Sequence, residues 1–184
     1  MDEELELLMM EAEEKMEKSY EAFSHELVTI RTGRANPKML DSVKVDYYGA
    51  PTPLNQIAGI SVVEGRQLLV KPYDKSSLKA IERAIYGANL GLTPQNDGMN
   101  IRINVPPLTE ERRRMLVKQV DKEAEEGKVA LRNIRRHAIR DLEKLKLDED
   151  NEKDCKHDIQ KLTDKFVKKI DEAANAKEKD LMTV

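Results

Sequence analysis

The stretch Arg31-Thr32-Gly33-Arg34-Ala35-Asn36-Pro37 decides the fold, because it closes one kind of sequence and opens another. Before it, residues 1 to 30 contain neither Gly nor Pro. Their apolar positions are Leu5, Met9, Ala12, Met16, Tyr20, Phe23, Leu27 and Ile30. Steps of three and four are the repeat of a helix that buries one stripe. After it, Pro, Gly and β-branched residues dominate as far as Val105-Pro106-Pro107. Beyond those prolines the helical pattern returns. The chain therefore leaves a helical body and comes back to it.

The returning segment reads as two helices. Thr109 is a suitable N-cap, and Glu110 and Glu111 suit the positive end of the helix dipole. The seam of this helix runs Leu116, Val120, Ala124, Gly127, Leu131, Ile134, Ala138, Leu142 and Leu145. Asp148 to Asn151 is polar and offers a turn with caps. A third stripe follows at Cys155, Ile159, Leu162, Phe166, Ile170 and Ala173. Three such stripes close one another's apolar faces, which predicts a three-helix bundle.

The interruption carries a different period. Val43, Val45 and Tyr47 alternate, as do Ile101, Ile103 and Val105, and Ile60 to Val63 and Leu68 to Val70 are short apolar runs. Gly49 to Pro53, Glu64-Gly65 and Asn96-Asp97-Gly98 read as turns, with a tight hairpin at Asp97-Gly98. Ser76-Ser77 is positioned to cap a short helix with Leu78, Ile81, Ile85 and Ala88 on one face, ended by Asn89 and Gly91. The expected class is α+β: a discontinuous bundle of residues 1–30 and 106–184, with a small β/α/β domain inserted at 31–105. The two crossings are Arg31 to Pro37 and Val105 to Pro107. Gly33 adds backbone freedom, while Pro37, Pro106 and Pro107 fix φ. They are either a joint of restricted motion or an ordinary helix end followed by a proline stop.

Composition supports thin, elongated packing. Charged residues make up 36% of the chain and aromatics 4%, with no Trp, which suits long helices sharing a narrow seam rather than one thick core. The net charge of -3 hides segregation. Acids crowd residues 1 to 30, opposed only by Lys15 and Lys18, whereas Lys128 to Arg140 contains no acid. On a helical wheel Lys128, Arg132, Arg135, Arg136 and Arg140 fall away from the seam. Like charges on one face repel by a few tenths of a kcal/mol per close pair, roughly. A polyanionic partner explains why the sequence accepts that; a face partly neutralised by acids of the first helix is the competing account. Arginine predominates, and its planar fork suits phosphates. No aromatic residues interleave, so shape and phosphate recognition is expected rather than base stacking.

Covalent chemistry has no visible seat. Gly59 and Gly65 are not followed by the Lys and Ser or Thr of a phosphate loop. His25, His137 and His157 stand apart, without metal-ligand spacing. Cys155, the single cysteine, lies on the third seam and reads as core; Met9, Met16 and Met115 read as seam filling. One cysteine fits a reducing compartment, and no apolar run approaches the roughly 20 residues of a membrane span. The acidic N-terminus is unlike a secretory or transit peptide. A cytoplasmic, non-enzymatic, monomeric protein without cofactor, metal or membrane association is expected.

Five stretches then resemble the bacterial type of ribosome recycling factor over essentially the whole chain. They are Arg31 to Pro37, Pro106-Pro-Leu-Thr-Glu-Glu-Arg-Arg113, Val129-Ala-Leu-Arg-Asn-Ile-Arg-Arg136 and the C-terminal pair Asp158-Ile-Gln-Lys-Leu-Thr-Asp164 and Lys177 to Met182. The resemblance implies an L-shaped protein of three-helix bundle and small β/α/β domain. It implies binding to the 70S ribosome and the 50S subunit through 23S rRNA. With elongation factor G and GTP hydrolysis, it implies subunit dissociation with release of mRNA and tRNA. Arg132 matches the family's key rRNA-contacting arginine. Lys128, Arg135 and Arg136 fall on neighbouring positions, Arg112 on a basic position near the start of the second helix, and Arg31, Gly33, Arg34, Pro106 and Pro107 on the hinge. The family commonly continues after Arg136 with Asp-Ala-Asn; here the chain reads His137-Ala138-Ile139-Arg140. Arg140 is expected to extend the RNA-binding surface, and Ile139 to pack against an extra neighbour. The rival is a helical binding module for a chaperone or GTPase that uses the acidic first helix. A phosphate-ester enzyme built on surface carboxylates is remoter still, since it needs a metal.

Overall fold

Helix, strand and turn follow one another as the two periods dictate, in a computed structural model that describes residues 3–183. The order is α1 (Glu3–Thr29), a 3-10 turn (Pro37–Leu40), β1 (Lys44–Tyr47), β2 (Ala50–Pro53), the single turn α2 (Leu54–Ile57), β3 (Ala58–Val63) and β4 (Gln67–Pro72). A second 3-10 turn (Lys75–Ser77), α3 (Leu78–Gly87), β5 (Pro94–Asn96), β6 (Ile101–Asn104), α4 (Glu110–Lys144) and α5 (Glu149–Met182) complete it. The chain divides into two compact units, one running through Arg31 and resuming at Glu110–Thr183, the other Thr32–Thr109. The expected α+β class, long helices with a small antiparallel sheet domain, is what forms.

In the first unit α1, α4 and α5 each pack against both others. With 35 residues, α4 is about 52 Å long at a rise of 1.5 Å per residue. Its buried positions are Leu116, Val120, Ala124, Leu131, Ala138 and Leu142, the centre of the expected seam. Leu5, Ala12, Ala138, Leu142 and Ile159 form one cluster, with Ile139 packed against it as the extra contact. Further along, the three helices meet at Gly127. A Cβ there would lie 3.1 Å from Ile170 Cδ1 and 3.6 Å from the Phe23 ring. A glycine in a helix interior costs about 1 kcal/mol relative to alanine, and here it admits two large side chains.

The seams need four corrections. Met115 is 54% exposed, so only Met16, and Met9 in part, fill the core. Cys155 is half-buried at the edge of the Ile159 cluster rather than inside it, and burial raises its thiol pKa. Leu162 and Ala173 are also half-buried, and α5 buries Thr163, Ala174 and Leu181 instead. Thr163 hides its hydroxyl by donating it to the Ile159 carbonyl at 2.8 Å. Finally, the turn is Leu145 to Leu147, with Lys146 at φ 51°, and Asp148 caps α5 by accepting from Asn151 N at 3.3 Å.

In the second unit β3, β4, β6 and β5 form an antiparallel sheet in that order, and β1 and β2 a separate hairpin. Leu68, Val70, Ile101 and Ile103 of the sheet bury into one core with Val43, Val45 and Leu78, Ile81 and Ile85 of α3. Glu64-Gly65-Arg66 turns between paired Val63 and Gln67, with left-handed φ of 54° and 73° at its first two residues and Arg66 N donating to Val63 O at 3.3 Å. Ala50 to Pro53, read as turn, is strand β2. Its prolines are tolerated because β2 pairs only with β1, so no second ladder needs their missing N–H groups. The strand β5 was hidden in the same way behind Pro94. The hairpin at Asp97-Gly98 is a four-residue loop, Asp97 to Asn100, between paired Asn96 and Ile101. The cap before α3 is Asp74, whose carboxylate accepts from Ser76 N at 3.0 Å; Ser77 makes no side-chain cap bond.

Candidate nucleic-acid interface

The acid-free stretch Lys128 to Arg140 lies wholly within α4, whose apolar stripe is committed to the bundle. Residues four apart share a helix face. Arg132, Arg136 and Arg140 therefore make one row, and all three are exposed. Among the described residues none of the three has an ion pair within 4 Å. Three guanidinium groups aligned over about 12 Å of helix are thus uncommitted.

Lys128 is different. The helical wheel of α4 puts it on the outer arc, but its side chain is only 17% exposed and its ammonium is taken. The nitrogen lies 2.6 Å from an Asp171 carboxylate oxygen on α5 and 3.3 Å from Glu125 on α4. The hydrogen bond to Asp171 is the first cause of its raised pKa. Position 128 sits on the flank of α4 that faces α5, so its charge is spent inside the bundle. The neutralising acids come from α4 and α5, not from the first helix.

Arg135 lies on that same flank, two turns further along. It is half-buried and donates from Nη1 to Gln160 Oε1 at 3.0 Å. Gln160 in turn donates to Asp164 Oδ1 at 2.9 Å. Glu143 and Lys156, 3.1 Å apart, continue the antiparallel zipper between the two helices. Arg112 is exposed in the first turn of α4, about 30 Å along the axis from Arg132, so it is not part of the row.

The residues expected at the crossings fall in or beside short non-regular stretches. Ala35 N donates to Gly65 O and Val105 N to Arg66 O, each at 2.8 Å, so both stretches are tied to the turn between β3 and β4. Gly33, Arg34, Pro106 and Pro107 lie outside those ties. Gly33 has no left-handed φ, and a Cβ there would meet only Leu108 N at 3.8 Å, an ordinary contact. Arg34 is exposed, with its N–H donating to Thr32 Oγ1 at 3.3 Å. Arg31 buries Nε and Nη2 without a hydrogen-bond partner, and the desolvation lowers its pKa.

Sequence reasoning missed Gln160, Asp164 and Asp171. Two of these lie in the stretch Asp158 to Asp164, to which the family resemblance assigns no site residue. Registering the third helix antiparallel to the second brings them opposite Arg135. Among the described residues no cluster of three His, Cys, Asp or Glu side chains is placed to hold a metal, and no helix is long and apolar enough to cross a membrane.

Comparison with known proteins gives this geometry a context. The family profile described as ribosome recycling factor matches residues 23–182. The ribosome-recycling factor of Halalkalibacterium halodurans is 56% identical over 181 residues, covering 96% of this chain and 98% of its own. That of Acholeplasma laidlawii is 54% identical over the full length of both. The chloroplastic ribosome-recycling factor of rice is 54% identical over 95% of this chain and 67% of its own. Among solved structures, the solution structure of a ribosome recycling factor superimposes with a TM-score of 0.85 at 42% identity, covering both chains fully. A second, the T. thermophilus ribosome recycling factor described with E. coli elongation factor G on the E. coli post-termination complex, gives 0.67 at 49% identity over 97% of this chain and 99% of its own. Profile, full-length relatives and fold agree, and the chain belongs to the ribosome recycling factor family.

Proposed function

We propose that this protein binds the post-termination ribosome on the large subunit through the arginine face of α4. Together with elongation factor G and GTP, it promotes subunit dissociation and release of mRNA and tRNA. The energy comes from the GTPase; the protein makes and breaks no covalent bond. The observation that carries this reading is the exposed, unpaired row Arg132, Arg136 and Arg140, in a chain of this family. Guanidinium groups bind phosphate by paired N–H contacts, and 23S rRNA is the phosphate-rich surface such a row fits. Arg135 joins the row as a partly committed member. Lys128 supports it from within the bundle, and Arg112 makes a separate contact. The crossings at Arg31 to Arg34 and Pro106-Pro107 act as the joint that lets the smaller unit move while the bundle stays anchored.

The test is co-sedimentation with vacant 70S ribosomes and 50S subunits across a salt series. Three or four phosphate contacts give a log–log salt slope of about −3. Arg132→Ala should weaken binding by about 1.5–3 kcal/mol, the worth of a charged hydrogen bond, and reduce the slope by about one. Its fold should be intact, since the side chain lies off the seam. Wild-type binding that is absent at low salt, or unchanged in Arg132→Ala, overturns the assignment. Absence favours the protein-binding module instead. A splitting assay with elongation factor G and GTP follows if binding holds.

A further inference from the structure

Two cations on one flank of α4 are held by α5 in chemically opposite ways. Lys128 is held by a carboxylate, Asp171, at 2.6 Å. Arg135 is held by an amide, Gln160, at 3.0 Å. A carboxylate partner cancels the charge it fixes. An amide oxygen fixes the group and leaves the charge standing.

The orientation of that amide is itself determined. A carboxylate only accepts hydrogen bonds and a guanidinium only donates them. Asp164 Oδ1, 2.9 Å from Gln160 Nε2, therefore turns the amide nitrogen along α5 and its oxygen towards α4. Gln160 and Asp164 are one helical turn apart, so α5 presents the pair together on one face. Arg135 uses Nη1 for this contact, while a guanidinium has five N–H donors. Among the described residues no other hydrogen bond or ion pair engages the remaining donors.

We propose that Gln160, locked by Asp164, is a positioning residue for nucleic-acid binding. It holds the Arg135 guanidinium on the arginine face without neutralising it. This rests on the RNA-binding reading of α4. It also gives a role to the stretch Asp158 to Asp164, which the core explains only at Ile159 and Thr163. A long side chain held in place loses less freedom when it meets a phosphate, and that gain appears in affinity.

Substitutions at one position separate positioning from a structural tie. Gln160→Glu keeps a cross-helix contact to Arg135 but makes it an ion pair that consumes the charge. Gln160→Met removes the contact and keeps the charge. If Gln160 acts on Arg135 for binding, Gln160→Glu lowers affinity for 50S subunits by about tenfold and reduces the salt slope by about one. Gln160→Met then lowers affinity by only about threefold, with the slope retained. A merely structural tie gives the reverse order: Gln160→Glu behaves as wild type, and Gln160→Met lowers the urea midpoint with no specific effect on the slope. Repeating both in an Arg135→Gln background should abolish most of the Gln160→Glu effect. An effect that persists undiminished there is general repulsion and overturns the proposal. So do Gln160 variants that bind like wild type while Arg132→Ala still loses binding. Wild-type protein that fails to bind 50S subunits removes the RNA-binding reading, and this inference with it.

Discussion

Glu178 on α5 should make the bundle less stable as pH rises through the range where cells live. Its carboxyl group is pushed up to about 7 from an ordinary 4.5, first by a side-chain hydrogen bond to the Asp121 carboxylate of α4, then by burial and by the negative charge of Asp121. The protonated Glu178 carboxyl can donate to the Asp121 carboxylate, whereas the ionised form would face its negative charge. The unfolded chain has no such neighbour, so between about pH 4.5 and 7 the folded state binds more protons than the unfolded state. Stability therefore falls across that window and is level on either side of it. A gap from 4.5 to about 7 corresponds to at most about 3.4 kcal/mol, at about 1.36 kcal/mol per pH unit. Asp121 is exposed, so solvent screening reduces this to something on the order of 1 kcal/mol. Glu178→Gln replaces that proton with an amide N–H that donates to Asp121 at every pH. The assay is urea unfolding followed by helical circular dichroism, for both proteins, from pH 5 to 8.5. The variant should match wild type at pH 5 and exceed it by about 1 kcal/mol above pH 8. Parallel pH profiles for the two proteins would show that Glu178 does not hold its proton against Asp121 in the folded bundle.

Other perturbations divide stability from function. Lys128→Ala should lower bundle stability by about 1–2 kcal/mol, because it strands Asp171 beside α4. It should leave 50S affinity within about threefold, and a large loss of affinity at unchanged stability would return Lys128 to the binding row. Gly127→Ala sets a gain of about 1 kcal/mol in helix propensity against the close approach to Ile170 Cδ1 at 3.1 Å. In an Ile170→Val background that approach is gone, so the same substitution should be more favourable by about 1 kcal/mol in a double-mutant cycle read by urea unfolding; additivity would refute the contact. Gly33→Ala should be silent, since its Cβ has room, whereas Gly33→Pro should slow subunit splitting by about fivefold or more with 50S affinity preserved. Equal loss of binding and splitting would argue against a joint at Gly33.

The sequence disclosed what one helix or strand determines by itself and concealed what two elements determine together. A wheel drawn on α4 alone finds the apolar stripe, because Leu116, Val120, Leu131 and Leu142 must all face inward. It also finds the arc that holds Lys128 and Arg135. It cannot say whether the flank of that arc meets water or a neighbour. The answer depends on the antiparallel register with α5, which sets Asp171 against Lys128 and Gln160 against Arg135. Prolines concealed β2 and β5 for a related reason. Propensity penalises a missing N–H wherever it occurs, but the penalty applies only where a second strand would have used that donor. β2 has one neighbour, and β5 is the edge of its sheet. Charge bookkeeping follows the same rule. Counting five cations in an acid-free window overstates the face by Lys128, whose acids lie at Glu125, just before the window, and at Asp171, 31 residues beyond its end. What remains is narrower and chemically sharper: three arginines in a row at i, i+4, i+8, and a fourth whose position is fixed by a neutral partner. If that face binds phosphate as proposed, adding one carboxylate at position 160 should weaken it as removing an arginine does, and a count of charges along the sequence cannot express that.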